Sequence, residues 1–473
     1  MSDKSIYWYD FETFGKDAKR DRAAQFAGIR TDEDLNIIGE PLLLYCKPSE
    51  DFLPEPMACY ITGITPQKAA EEGVVEAEFI RQILAEFSKP NTCVAGYNNI
   101  RFDDELTRQL LYRNFYDPYE REYKNGNSRW DLIDVVRLCA GVRPDGINWP
   151  LRENGSRSFR LDQLTVANGI EHGAAHDALA DVIATIEMAK LLRKNQPRLF
   201  DYAYGLRSKQ AVRAQLDMVN HKPVIYVSMI FPARLGCLSV VMPLCQHPTN
   251  ANAIIACDLR VDPKQWLGLT PQEMASRLYK KKSELKEGEL PLPLHVIASN
   301  KCPIIVPVTV LDDDVAASYE LERTNWMDYY EQVKATPGIL QSVSEAYAND
   351  RDESRETDPD FMIYSGFFSD SDKQLMQTVR QTPPEELARL DMPFRDKRLS
   401  EMLFRYRARN YPATLSADER ARWREFCRAK VCGDDARKHF EAGLKELLDR
   451  GGAETRPLME QLQQYADEIS QSD

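Results

Sequence analysis

The chain has 473 residues, 43% of them hydrophobic and 29% charged, enough apolar material for two to four folded domains, which excludes a disordered or fibrous protein. Its 61 basic residues stand against 74 acidic ones, a net charge of −13, so it is not a protein that holds a polyanion by overall positive charge. No apolar run approaches the ~20 residues of a membrane helix. The N-terminus MSDKSIYWYD lacks the apolar stretch of a secretory signal, and none of the ten cysteines forms a C-x-x-C pair, so the expectation is a cytoplasmic protein with reduced thiols, no structural zinc and no membrane contact.

Along the chain, Ile6–Tyr9 reads as a strand, as do Leu42–Tyr45 and Thr92–Ala95. Helical periodicity runs over 78–87, 103–112 and 177–192. The alternation indicates an α/β layer over residues 1–195. Residues 196–222 read as a helical connector. From 223 the texture changes to β-branched runs, at Pro223–Phe231, Gly236–Cys245, Ala253–Leu259 and Ile304–Leu311, broken by Pro, Gly and Asn. A small β-rich barrel or sandwich is expected to about 350. After the polar stretch NDRDESRETDPD the sequence is rich in Ala, Leu, Glu and Arg, and residues 351–473 should be helical. The expected architecture is α/β, then β, then α, with domains at 1–195, 196–350 and 351–473.

Three acidic signals fall in the first domain. Asp10 and Glu12 flank Phe11 at the end of the first strand, and residues two apart on a strand share a face. Asp103 follows the strand TCVA and the turn residues Asn98 and Asn99, which suit a helix cap, so it should open a helix. His176 precedes Asp181 by five residues at the start of a further helix. Singly these read as a solvated pair, a capping aspartate and a core histidine. Together they place four carboxylates at three strand-to-helix junctions, where α/β folds assemble their sites. Four clustered acids repel one another unless divalent cations lie between them. The chemistry that two such ions serve best is in-line displacement at phosphorus, with His176 suited to act as general base.

Residues 101–160 hold 11 basic against 10 acidic side chains, interleaved with Tyr112, Phe115, Tyr116, Tyr119, Tyr123 and Trp130. Aromatic faces for bases with cations for phosphates suit a single strand. Arg108 lies five residues past Asp103, and Arg137 and Arg160 lie elsewhere in the same domain, Arg160 ahead of the third motif.

Asp10 with Glu12, Asp103, and His176 with Asp181 resemble the three motifs of the DEDDh 3′→5′ exonuclease superfamily over residues about 6–190. NNIRFDDELTRQLLYRNFYDPY, GINWP, SFRLDQLTVANGIEHGAAHDALAD and, near the C-terminus, YSGFFSDSDKQLM and FRYRARNYPATL resemble the bacterial exodeoxyribonuclease I family over nearly the whole chain. That resemblance implies an RNase H-like exonuclease domain, an SH3-like domain and a C-terminal helical domain, forming a C-shaped, monomeric, processive enzyme around single-stranded DNA. It implies release of 5′-mononucleotides from the 3′ end with two Mg²⁺ ions, and roles in repair and recombination. By position it implies metal binding by Asp10, Glu12, Asp103 and Asp181, a base at His176, contact with the substrate end by Glu12 and Arg160, and strand contacts by Arg108, Tyr119, Tyr123 and Arg137, with Tyr123 standing where the family can carry Trp. It also implies docking of the acidic tail of the single-stranded-DNA-binding protein, for which Arg143 and Tyr202 are candidates beside the acidic stretch VTVLDDDV. Two other readings are an RNA-trimming exonuclease of the same superfamily and a silent clamp. Degradation of matched DNA and RNA oligomers separates the first, and the intact carboxylate set speaks against the second.

Overall fold

Ser5–Thr13 (SIYWYDFET) is dense in aromatic and β-branched residues and is buried along almost its whole length, as a strand covered on both faces requires. In the computed structural model, which describes residues 4–171, 173, 177–278, 280, 282–348 and 356–471, this strand, β1, is central. It pairs antiparallel with β2 (Ala23–Thr31) and parallel with β4 (Thr92–Gly96), and β2 carries β3 (Leu42–Tyr45) on its far edge. The helix Glu76–Phe87 turns Phe79, Ile80, Ile83 and Phe87 inward, against Tyr7, Tyr9, Phe11 and Phe26 of the sheet. Each of those side chains contributes about 1.5–3 kcal/mol by leaving water. The helix Asp103–Arg113 adds Leu106, Leu110 and Leu111 to the same core.

The described chain divides into two units. The first comprises residues 1–128, 172–186 and 355–473. Its C-terminal part is helical, with helices at Asp370–Gln381, Lys397–Asn410, Ala417–Val431, Asp434–Gly451 and Arg456–Gln471. Ser416 and Glu419 form a reciprocal cap at the start of the third of these. The side chain of Asn410 accepts from the backbone N–H of Ala77 at 2.8 Å, joining the helical part to the sheet-bearing part.

The second unit comprises 129–171 and 187–354. The chain enters it within β5 (Ser128–Asp131). Its sheet runs β10–β6–β7–β8–β9, all antiparallel, from β6 (Val224–Val227), β7 (Leu238–Gln246), β8 (Ala253–Asp258), β9 (Leu294–Ala298) and β10 (Ile304–Pro307).

Several elements differ from the sequence expectation. The acids of β1 lie inside the strand, because pairing with β2 continues through Glu12 opposite Gln25. The run from Ile304 stops as a strand at Pro307, which has no N–H to offer a ladder, and continues as a 3₁₀ turn at Val308–Val310. The β-rich segment also ends in three helices, Asp313–Ser318, Arg323–Ala335 and Ile339–Ala348. All ten cysteines are free thiols, eight of them buried. Among the described residues no helix is long and apolar enough to cross a membrane.

Candidate active site

Alternation along β1 sends Tyr9 and Phe11 into the aromatic core and leaves Asp10 and Glu12 together on the other face. Gly96 ends β4 beside them; a Cβ there would lie 2.7 Å from the carbonyl oxygen of Tyr9, so only glycine lets the two strand ends approach this closely. Beyond it Asn98 adopts a left-handed turn (φ 65°), and the chain enters the helix Asp103–Arg113. The residue at the start of that helix is neither of the asparagines. Phe102 holds the cap position, and it is the Asn99 carbonyl that accepts from Asp104 N–H. Asp103 is the first helical residue, and its Oδ1 accepts from Phe11 N–H at 3.3 Å, which ties the helix start to β1 between the two strand acids.

The third element is the helix Ala178–Asn195. Gln25 of β2 accepts from Ala178 N–H at 3.4 Å, anchoring its first turn next to Glu12's strand partner position. One turn in, Asp181 meets the acids of β1: Asp10, Glu12 and Asp181 each offer a carboxylate oxygen within 4.8 Å of the others. His176 lies outside the described residues.

The electrostatics follow from burial without compensation. Burial first, and then repulsion from Asp103, Glu12 and Asp181, hold the Asp10 carboxyl well above the usual carboxylate range. Glu12 is pushed up to about 8 by burial and by Asp181, Asp103 and Asp177. Among the described residues, the charges that shift these two groups are other acids. Hard oxygen donors at this spacing, from three carboxylates that repel one another, are a fit for divalent cations such as Mg²⁺.

The expected strand contacts fall in separate places. Arg108 sits in the first unit, almost fully buried. Its Nε and Nη2 donate to Glu122 at 2.8 and 3.1 Å, and its guanidinium lies 5.4 Å from the Tyr119 ring. Tyr119 is half-buried with its ring edge-on to Phe367 at 5.9 Å, whereas Tyr123 is 64% exposed. Arg137 and Arg160 belong to the second unit. Arg137 is buried, donating to Asp134 at 2.5 Å beside Phe159, and Arg160 is exposed and bidentate on Asp162 at 3.1 and 2.8 Å. Of the aromatic residues interleaved with charge, Tyr112, Phe115 and Trp130 are core residues and present no face to a ligand.

Comparison with known proteins agrees along the whole length. Residues 7–189 match the sequence model of an exonuclease family, 207–349 that of the exonuclease I SH3-like domain and 357–469 that of the exonuclease I C-terminal domain. The exodeoxyribonuclease I of Haemophilus influenzae is 44% identical over 468 residues, 98% of each chain. The chain belongs to the exodeoxyribonuclease I family.

Solved structures of that family superpose closely. The moderately thermophilic exonuclease I of Methylocaldum szegediense has a TM-score of 0.94 at 45% identity, covering 99% of this chain and 100% of its own. The zinc-ion-bound form of the Escherichia coli enzyme with single-stranded DNA has a TM-score of 0.94 at 44%, covering 98% and 99%. An SSB/exonuclease I structure with the inhibitor CFAM has a TM-score of 0.91 at 43%, covering 98% and 99%. The chain is thus an exodeoxyribonuclease built from an exonuclease domain, an SH3-like domain and a C-terminal helical domain.

Sequence reasoning missed the side chains that surround Arg108. Glu122 and Glu105 take its charge, Tyr364 donates to Glu105, and Phe367, 84% exposed, lies against Tyr119. The signal for Phe367 is an aromatic run, YSGFF, around a glycine at φ 115°. Glu122 carried no such signal.

Proposed function

We propose that the chain hydrolyses single-stranded DNA processively from the 3′ end, releasing 5′-mononucleotides, with Asp10, Glu12, Asp103 and Asp181 holding two Mg²⁺ ions. What carries this reading is the group of carboxylate oxygens from β1 and Asp181 within 4.8 Å of one another, where acids raise both Asp10 and Glu12. Two bound divalent ions supply activation of the attacking water and stabilisation of the departing 3′ oxygen. The four acids hold their places through β1, the Phe11 N–H bond to Asp103 and the anchored helix start at Ala178. The family resemblance assigns contact with the substrate end to Glu12 and Arg160. His176 takes the proton from water, the role for which imidazole chemistry is suited. Arg108, Tyr119, Tyr123 and Arg137 hold the strand further from the scissile bond, and the phosphate must displace Arg108 from Glu122 to engage it fully.

In this reading residues 1–195, 196–350 and 351–473 are the three domains, and the enzyme works as a cytoplasmic monomer in repair and recombination. Its partner is the single-stranded-DNA-binding protein, whose acidic tail has to compete at Arg143 with Asp312, 3.4 Å away; Tyr202 there donates to the Ile305 carbonyl at 2.9 Å. A single strand labelled at either end tests the polarity. A 3′ label is expected to leave at once as mononucleotide and a 5′ label to stay with the strand until it appears in a short end product, in Mg²⁺ and not in EDTA. Early release of the 5′ label, equal cleavage in chelator, or an RNA oligomer cut as fast as its DNA counterpart contradicts the reading.

A further inference from the structure

The two consecutive acids that open the helix Asp103–Arg113 face different ways, since successive helical residues are about 100° apart. Asp103 meets the site acids. Asp104 turns away into the protein and is completely buried, where its Oδ1 accepts from the Tyr9 hydroxyl at 2.9 Å and from Arg121 Nη2 at 2.5 Å. Tyr9 is the residue before Asp10, and its ring is wedged among Phe11, Phe26 and Phe87 with centroids 5.0–6.1 Å apart. Arg121 is equally buried and lies 5.1 Å from the Phe87 ring. Its Nε and Nη1 make no hydrogen bond.

A buried arginine that bonds through one of its three nitrogens is a poor device for stability, because desolvation of the remaining donors is not offset. Its position gives it two other uses. It cancels the charge of Asp104, which would otherwise add a further carboxylate to a group already raised by mutual repulsion. It also fixes Asp104 as the acceptor for Tyr9. Two tethers then cross between β1 and the helix, Phe11 N–H to Asp103 and Tyr9 hydroxyl to Asp104, on alternate residues of one strand and consecutive residues of one helix. With both in place the helix can neither slide along β1 nor turn about its axis, so the distance from Asp103 to Asp10 and Glu12 is set.

We propose that Asp104, clamped by Arg121 and Tyr9, is a positioning residue that sets the spacing between the β1 acids and Asp103 and thereby the affinity of the site for divalent cations. This rests on the reading of those acids as cation ligands. Mn²⁺ binding to the full-length metal-free protein, followed by electron paramagnetic resonance, tests it beside steady-state kinetics on a single-stranded oligonucleotide. Asp104→Asn should weaken Mn²⁺ binding about 10–100-fold, the scale on which groups behind a metal ligand are felt. Excess metal should restore kcat, and KM for the oligonucleotide should stay within about twofold, since the clamp touches no substrate. Tyr9→Phe removes a single hydroxyl, keeps the ring packing, and should weaken Mn²⁺ binding several-fold; it decides the matter if Asp104→Asn does not fold. Wild-type Mn²⁺ affinity in both folded variants overturns the proposal. Asp10→Ala is the control: if it binds Mn²⁺ as the wild type does, the cation reading itself falls, and the clamp with it.

Discussion

The first unit buries two clusters of carboxylates, and they are opposites. Around the candidate site, Asp10 and Glu12 are shifted upward by burial and by other acids. Asp51, Glu76 and Asp360 are as deeply buried, yet all three are held below the usual carboxylate range. Burial pushes both sets the same way, and the arginines reverse the second. Asp51 receives Arg22 and Arg409, each at 2.8 Å; Asp360 receives Arg409 at 2.5 Å and Arg405 at 2.9 Å; Glu76 receives Arg113 at 2.9 Å and the Asn114 amide at 2.9 Å. A buried acid with its guanidinium partners is architecture, here joining the C-terminal helices to the sheet-bearing part. A buried group of acids raised by other acids is, in the proposed reading, a place prepared for cations.

The contrast can be broken first at the site. Asp181→Ala should lower turnover by at least about 10³-fold, the scale of losing one member of a catalytic unit, while strand binding in EDTA persists; turnover near wild type would remove the metal assignment. His176→Ala should cost about 10²–10⁴-fold, as loss of a general base does, with Mg²⁺ binding retained, and an unchanged rate would mean another base. In the compensated cluster the same kind of change should act on folding. Arg409→Met leaves Asp51 and Asp360 short of a partner and should destabilise the protein by about 3–5 kcal/mol in urea unfolding, against little effect on the Mg²⁺ dependence of turnover.

The smallest expected effect sharpens the comparison by pH. Glu76 is held at about 2 against an ordinary 4.5. A depressed folded pKa means that the unfolded chain binds more protons in this window, so the stabilisation is complete above about 4.5 and is lost as pH falls towards about 2. Urea midpoints measured across that interval should fall less steeply for Glu76→Gln than for wild type; parallel slopes would show that the cluster does not carry the charge described.

How much of this is legible before folding depends on the range of the interaction. Asp10 and Glu12 are readable because a strand's period of two puts them on one face, and Asp103 because a helix begins where a strand has just ended. Their convergence with Asp181 needs only the α/β rule for where sites form. The arginine cluster is not readable, because Arg409 and Asp51 are 358 residues apart and nothing local marks either as a partner. Arg121 and Asp104 are 17 apart, but the sequence shows only one basic and one acidic residue among many. β2 escaped notice for a different reason. AAQFAGIRT is buried on both faces, so it lacks the alternation that marks a half-exposed strand. For the aromatic residues between 112 and 130, charge interleaved in sequence leaves core packing and base stacking both open, and burial puts Tyr112, Phe115 and Trp130 in the core.

In the proposed reading, cations are the partner that the site acids call for. Calorimetric titration of the metal-free protein with Mg²⁺ at neutral pH, repeated on Asp10→Ala/Asp181→Ala, measures this directly. Saturable uptake approaching two ions per chain in the wild type and its loss in the double variant are predicted; equal uptake by both proteins, or none by either, would contradict it.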